Sequence, residues 1–381
     1  SDPKTGEYFL NLINNKEADF TRYTYFYLTY LIENSSIKKA EEITDNIKFI
    51  DTTLLLSQGK SWIDNKNSKK LTSVFSCKNH NDVISEFLFL VSNLYSTQDE
   101  IEKSNFYLNL SNFLNSKFIY NLSLTAENHF SNKEYKKAKK TLKKFKKEDD
   151  LYYWYRLKKE AQIIAKQRNK KESLNYITSN FDNIQQPNRR MILDIANFYK
   201  NSKKYEKAVK YYSEIINSLN KDPQIKSDVL YRRGGSYERL GNYEDADKDL
   251  LNSLKINPND AYVLNYLAYS WLERDYKINE AIEMLETAYA LKSNDPYIID
   301  SIGWAYFMVE DYLKAEKFMR RAVELMPGDP IVNDHYGDIL WKLNRKIQAR
   351  YFWENVIGME EAEQKMLDKI NIKLIVGLKN S

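Results

Sequence analysis

The sequence predicts an all-α chain, an α-solenoid of stacked helix hairpins, on three observations. Only 10 Gly and 7 Pro are spread over 381 residues, far fewer turn residues than a sheet-rich protein of this length needs. From about Ser227 onward, small residues recur at a fixed interval: Gly234, Ala268, Gly303 and Gly337, at steps of 34, 35 and 34. A second small series runs in phase with it through Ala246, Ala281, Ala315 and Ala349, at steps of 35, 34 and 34. The one extra residue therefore belongs to the turn between Trp271 and Ala281. A chain this long exceeds one compact core, and metered repeats favour an extended array over separate domains.

Each slot of the repeat follows from side-chain size. A Gly or Ala in the first helix of a pair lets the second helix approach closely. The large residue three positions later, Tyr237, Trp271, Tyr306 or Leu340, lies on the same face and fills the space beside that contact. The Ala of the second helix does the same from the other side, followed by Leu250, Leu285, Met319 or Trp353. Segments such as "LGNYEDA" and "VEDYLKA" supply the turn and place acidic groups near the positive end of the second helix. Pro258 and Pro327 close two units, because proline stops a helix. One unit cannot bury its apolar face alone, so neighbours must stack.

Upstream the template fits more loosely. Ile192, Ala196, Tyr199, Ala208 and Tyr212 form a fifth unit; Leu157, Ala161, Ile164 and Ser173 a sixth; Leu122, Ala126, His129, Ala138 and Leu142 a seventh. Before about Ser116 helical periodicity persists in "ADFTRYTYFYLTYLIE" and "DVISEFLFLVSNLY", without a defined register. The expected organisation is degenerate hairpins over 1–115, divergent Lys-rich repeats over 116–222, four well-formed repeats over 223–357 and a capping helix over 358–381, where "EEAEQKMLDKINIKLIVGL" alternates charge and apolar residues at helical spacing.

The four C-terminal units resemble the tetratricopeptide repeat, with its period of about 34 residues. The resemblance implies a right-handed superhelix with an open concave groove. The stretch from "LNYLAYSWLER" through "IIDSIGWAYFMVEDYLKAEKFMRRAVELMPGDP" to "VNDHYGDILWKLNRKIQARYFW" is similar to the C-terminal repeats of alphaproteobacterial members, many of them exported to the cell envelope. Within this family the first-helix positions 2, 5, 9 and 12 face the groove. Position 5 then holds Tyr231, Asn265, Asp300 and Asp334, and position 9 holds Gly235, Tyr269, Trp304 and Asp338. The resemblance makes the Asn and Asp side chains a ladder of acceptors for the N–H groups of an extended peptide, with Tyr262, Tyr269, Tyr297 and Trp304 as apolar walls. The alternative use of the same side chains is to bond to the next helix and hold the superhelix pitch. Chaperone-binding members use a clamp of Lys, Asn and Arg on a terminal carboxylate. Tyr231, Gly235, Tyr266, Tyr297 and Ser301 stand at the corresponding places here, so that recognition is not expected.

The net charge of +5 is too small to predict nucleic-acid binding by itself. Its distribution is uneven. Lys136, Lys137, Lys139, Lys140, Lys143, Lys144, Lys146 and Lys147 crowd the middle of the chain, and Asp and Glu dominate from Gly241 to Asp334. The Lys-rich stretch reads as a solvated helix face or as a dock for an anionic partner. His80, His129 and His335 lie far apart in sequence, without metal-ligand spacing. "GKS" at Gly59 to Ser61 has Leu54 where a phosphate loop needs glycine. The single cysteine, Cys77, has His80 three residues on, a pair that could lower its thiol pKa but has no orienting third group. No catalytic, metal or cofactor site is expected.

No apolar run approaches the roughly 20 residues that cross a bilayer. The chain opens at Ser1 without a Met, which points to a processed or trimmed product and leaves room for a leader or lipid anchor upstream. The expected compartment is a bacterial periplasm or envelope, otherwise the cytoplasm. Two functional classes follow: a scaffold that binds protein or peptide partners in its groove, and a structural subunit that docks an acidic protein, membrane or nucleic acid through the Lys-rich stretch.

Overall fold

The structure, a computed structural model, describes residues 7–8, 10–11, 21–47, 52–219 and 222–378. Every regular element named below is an α-helix. Four come first: α1 (Thr21–Glu33), α2 (Ile37–Asp45), α3 (Leu54–Asp64) and α4 (Lys69–Val74). Eight hairpins follow. They pair α5 (His80–Thr97) with α6 (Ile101–Leu114), α7 (Asn121–Ser131) with α8 (Tyr135–Leu142), α9 (Asp150–Gln167) with α10 (Lys170–Asp182), and α11 (Arg189–Asn201) with α12 (Tyr205–Ser218). The four C-terminal hairpins are α13 (Pro223–Arg239) with α14 (Tyr243–Ile256), α15 (Ala261–Leu272) with α16 (Ile278–Leu291), α17 (Pro296–Met308) with α18 (Tyr312–Leu325), and α19 (Pro330–Lys342) with α20 (Lys346–Ile357). A last helix, α21 (Gln364–Val376), ends the chain's described part. The chain divides into two compact units, Ser1–Ile215 and Ile216–Ser381. The regular structure among the described residues of each is all α-helix, in agreement with the fold class expected from the sequence.

The small slots explain the hairpins. Gly234/Ala246, Ala268/Ala281, Gly303/Ala315 and Gly337/Ala349 are all buried. The same spacing holds upstream for Ala196/Ala208, Ala161/Ser173 and Ala126/Ala138, also buried. It continues into the region where sequence gave no register: Ser92 and Ser104 occupy the two slots of α5 and α6 and are fully buried. Their hydroxyls meet at 2.9 Å, and Ser92 Oγ also donates to the Ser104 carbonyl at 2.9 Å.

A left-handed residue turns the chain between the two helices of most pairs. Gly241 (φ 77°) does this in the α13–α14 turn, but Asp99, Lys133, Lys203, Glu310 and Asn344 take the same conformation with a side chain, at φ 56–62°. The repeat with the extra residue has two such positions, Asp275 and Lys277. Helix starts are fixed by aspartates. The carboxylates of Asp260, Asp295 and Asp329 each accept two backbone N–H bonds at the start of α15, α17 and α19, the arrangement that satisfies orphan donors at a helix N-terminus. Pro296 and Pro330 then take the first helical position, where their missing N–H costs nothing.

Unit one has an aromatic core of Tyr25, Phe26, Phe75 and Phe118 under α1 and α4. Arg22 lies beside it, 3.9 Å above the Phe89 ring, and donates to both Glu86 carboxylate oxygens at 2.6 and 2.5 Å. Gly59 of the "GKS" triplet sits within α3, where an added Cβ would touch the Tyr25 ring at 3.0 Å. That triplet is part of a packed helix.

Candidate functional site

The candidate site lies in unit two, on the side of α15, α17 and α19 where α21 reaches across. Tyr269, Trp304, Asp334 and Asp338 line one cavity of about 750 Å³. Glu273, Ile331 and His335 complete its wall, and α21 adds Met366, Lys369 and Lys373. Of the remaining expected site residues, Tyr262 and Tyr297 stand exposed in the first turns of α15 and α17. Tyr262 carries Lys292 Nζ 4.8 Å above its ring. Asn265 is half-buried, and its Oδ1 finds no hydrogen-bond donor among the described residues. Tyr231 lies outside the cavity, edge-on against Tyr266 at 5.6 Å.

The groove-slot carboxylates are engaged. Asp300 is buried and its Oδ1 lies 2.9 Å from Nδ1 of the buried His335. The imidazole stacks on Trp304 at 4.0 Å, and Trp304 stacks in turn on Phe307 at 4.7 Å. Asp338 accepts from Trp353 Nε1 at 3.0 Å. Lys373 Nζ donates to both oxygens of Asp338, at 2.7 and 2.8 Å, and to Asp334 Oδ1 at 2.5 Å. Asp300, Asp334 and Asp338 therefore bond from one helix to the next, the alternative use considered from the sequence. One carboxylate oxygen of Asp300, one of Asp334 and both of Asp338 are engaged in these bonds.

Electrostatics follow from this packing. Burial alone would lower the His335 pKa, but the carboxylates of Asp300, Asp334 and Asp338 outweigh it and raise the value. Burial pushes the Asp338 carboxyl up to about 6, with Asp334 adding repulsion and Lys373 opposing both. The Tyr269 hydroxyl is raised by burial and by the nearby Glu273 and Asp300, which keeps it a neutral donor. The site thus offers apolar rings on a polar floor, with Lys369 and Glu273 at its edges.

The contribution of α21 was the part that sequence reasoning missed. Ile370 and Lys373 are spaced to share one face of a helix. Ile370 is fully buried and Lys373 reaches the two aspartates. The alternation in that segment predicts a cap, but not that its lysine lands on groove positions of α19.

Chemistry elsewhere is sparse. Among the described residues no three His, Cys, Asp or Glu side chains gather as a metal site would require. His129 Nδ1 pairs with Glu134 at 2.6 Å. The Cys77 thiol is pushed up to about 11 by burial and by the carboxylates of Glu33 and Asp82, the opposite of the shift that His80 would give. No helix among the described residues is long and apolar enough to cross a membrane.

Comparison with known proteins points one way. Two profiles described as tetratricopeptide repeat match residues 227–260 and 190–218. A TPR repeat-containing protein of Pseudomonas aeruginosa is 30% identical over 143 residues, 38% of this chain and 23% of that protein. A TPR repeat-containing protein of Methanocaldococcus jannaschii is 31% identical over 190 residues, 45% of this chain and 30% of that protein. The chain thus spans less than a third of the length of these curated relatives. The crystal structure of a tetratricopeptide repeat protein from Parabacteroides merdae superposes with a TM-score of 0.54 at 18% identity, covering 67% of this chain and 98% of that one. That likeness concerns the fold.

Proposed function

The chain belongs to the tetratricopeptide repeat superfamily, and on that premise we propose that it is a protein-interaction scaffold that captures a short extended peptide in the cavity of unit two. The observation that carries this reading is the cavity of about 750 Å³ in which Tyr269 and Trp304 meet Ile331 and Met366. That volume lies within the range of roughly 300–1,000 Å³ of small-ligand pockets, enough for two or three side chains of a peptide. Aromatic walls supply contact area at low entropic cost.

The internal bonds of Asp300, Asp334 and Asp338 suit a rigid floor better than a set of peptide acceptors. Specificity then rests on the rings and on the charged edge of Glu273, Lys365 and Lys369. The preferred ligand is a segment with one or two large apolar side chains flanked by mixed charge.

The test is a peptide array or phage library screened on the whole chain, with the selected peptide titrated against the Trp304→Ala and Tyr269→Ala variants. Each variant is expected to weaken binding at least about tenfold, which is about 1.4 kcal/mol, with an unchanged circular dichroism spectrum. Affinity should change little between about 50 and 200 mM salt, whereas binding through many lysines falls by orders of magnitude over that range. Equal binding by both variants, or a collapse with salt, would move the reading to the Lys-rich stretch.

A further inference from the structure

The turn that carries the extra residue overhangs a cleft of about 520 Å³ in unit two, which shares no lining residue with the cavity of Tyr269 and Trp304. One wall is the outer face of α14, with Lys248, Leu251 and Lys255. The other is Trp271, near the end of α15, followed by Arg274, Tyr276 and Lys277 of the turn. The α17–α18 and α19–α20 turns have one left-handed residue each, Glu310 and Asn344, whereas this one has two, Asp275 (φ 50°) and Lys277 (φ 46°). The longer turn lays its side chains on Trp271: Lys277 Nζ is 4.8 Å from the ring centre, and the Tyr276 ring meets the indole edge-on at 5.6 Å.

Trp271 is 4% exposed, and its buried indole N–H meets no acceptor among the described residues. Register against the next repeat shows why. Tyr306 holds the same slot there, and its hydroxyl donates at 2.6 Å to Glu286 Oε1 of the preceding second helix. Glu286 stands five residues after Ala281, and five residues after Ala246 stands Leu251. The acceptor that the protein supplies at one junction is thus replaced at the other by an exposed leucine on the cleft wall. A buried donor left without an acceptor is destabilising, so a ligand oxygen placed there is favoured.

Asp and Glu dominate this part of the chain, yet cations gather in the cleft. Arg274 is engaged with Asp247 at 2.7 Å. Lys248, Lys255 and Lys277 pair with no carboxylate among the described residues: Lys255 reaches the Asn252 amide oxygen at 3.3 Å, and Lys277 rests on the rings. Among the lining residues only Glu244 stands against these three lysines, which leaves a net charge of +2. A phosphate monoester carries about −1.5 to −2 at neutral pH, a closer match than a single carboxylate. Lys248 and Lys255 lie about 10 Å apart along the helix axis, so both ammonium groups reach a group placed over Leu251.

We propose that this cleft binds a phosphate monoester. The phosphate sits among Lys248, Lys255 and Lys277, one of its oxygens accepts from Trp271 Nε1, and the organic part of the ester lies against Leu251 and Tyr276. The same group is offered by a phosphorylated side chain of a partner and by a free small ester. The site is separate from the peptide cavity and does not depend on it.

Phenyl phosphate is the probe, titrated calorimetrically into the whole chain at about 100 mM salt, with benzoate as the monoanion control and a phosphotyrosine peptide library beside its unphosphorylated form. Phenyl phosphate is expected to bind with a Kd below about 1 mM, at least about tenfold more tightly than benzoate. Lys248→Gln with Lys277→Asn alters only exposed positions, and asparagine tolerates the left-handed turn. Its melting should match the unaltered chain while the Kd rises at least about tenfold. Leu251→Glu sets beside Trp271 the acceptor found at the next junction; it should melt no lower than the unaltered chain and still lose phenyl phosphate, a combination that a loss of folding cannot give. A selected phosphopeptide that binds at least about tenfold more tightly than phenyl phosphate identifies the source as a partner protein, and one that binds no better identifies it as a free ester. The proposal is overturned by no binding of phenyl phosphate at about 10 mM, by equal binding of benzoate, or by either variant binding as the unaltered chain does.

Discussion

Gly337→Ala puts the size of one side chain against the fit of two helices. A Cβ at Gly337 would lie 2.3 Å from Trp353 Nε1 and 2.4 Å from its Cδ1, where ordinary contact is 3.4–4 Å. The indole has nowhere to go: it is fully buried and tied to Asp338 through its N–H. Overpacking of this kind costs about 1–3 kcal/mol. Displacing the ring also strains a hydrogen bond to a carboxylate, worth about 1.5–3 kcal/mol. The gain in helix propensity from Gly to Ala returns only about 1 kcal/mol. The net expectation is a loss of about 2–4 kcal/mol. Two other glycines supply the scale. At Gly303 the Cβ would touch the flexible end of Met319 at 3.2 Å, with its backbone N at 3.3 Å, so clash and propensity should nearly cancel. At Gly235 the first atom met is the Tyr266 hydroxyl, at 3.3 Å, and Gly235→Ala should be neutral or stabilise by up to about 1 kcal/mol. Repeat arrays open locally, so the assay is amide hydrogen exchange read over each hairpin, with urea melts beside it. The reasoning fails if α19 and α20 of Gly337→Ala stay as protected as in the unaltered chain, or if the three variants rank in another order.

Three further expectations concern the packed polar groups. His335 has a folded pKa above its ordinary 6.5, so its contribution is present below that value and is lost as pH rises through the folded one. Asp338, pushed from 3.8 to about 6, loses stability in the same direction, by up to about 3 kcal/mol as it ionises between pH 4 and 6; exchange protection of α19 to α21, corrected for intrinsic rates, should therefore be greater at pH 5 than at pH 8, and the opposite slope would refute the assignment. Lys373→Met leaves Asp334 and Asp338 without their cation and should cost about 3 kcal/mol near neutrality, less at pH 5 where Asp338 takes a proton, visible as early exchange of α21. Ser92→Ala with Ser104→Ala removes both partners of a buried pair and should change thermal stability by less than about 1 kcal/mol, since Asn128 keeps its bond to Asn105 at 3.0 Å; a large drop would mean the hydroxyls, not the small volume, hold that hairpin.

Fold and site were legible to different depths. The repeat from Gly234 to Ala349 could be read from spacing alone, because volume at a close helix contact leaves little choice beyond Gly and Ala. The same rule hid α5 and α6. Serine meets the volume requirement as Ser92 and Ser104 do, but it is also a common surface residue and carries no signal by itself. Positions on the groove side were legible as a face, and Tyr269, Trp304, Asp334 and Asp338 do come together in one cavity. Whether a carboxylate there is free depends on what the neighbouring helix brings. His335 lies 35 positions from Asp300 and Lys373 35 positions from Asp338, distances at which residue type alone does not identify a partner. Tyr231 shares a slot with Asn265, yet the ring of Tyr266 takes it out of the cavity.

The bond from Lys373 to Asp334 and Asp338 also bears on how such a gene can lengthen. A tandem duplication inserted after Ile357 would part α21 from its aspartates and leave a lysine and two buried acids to find substitutes. One inserted at the turn before Pro330 keeps α19, α20 and α21 together, and a copied α17 and α18 would bring a second aspartate to the slot of Asp300, beside His335. New units should therefore enter upstream of α19, with α21 carried along beside its aspartates.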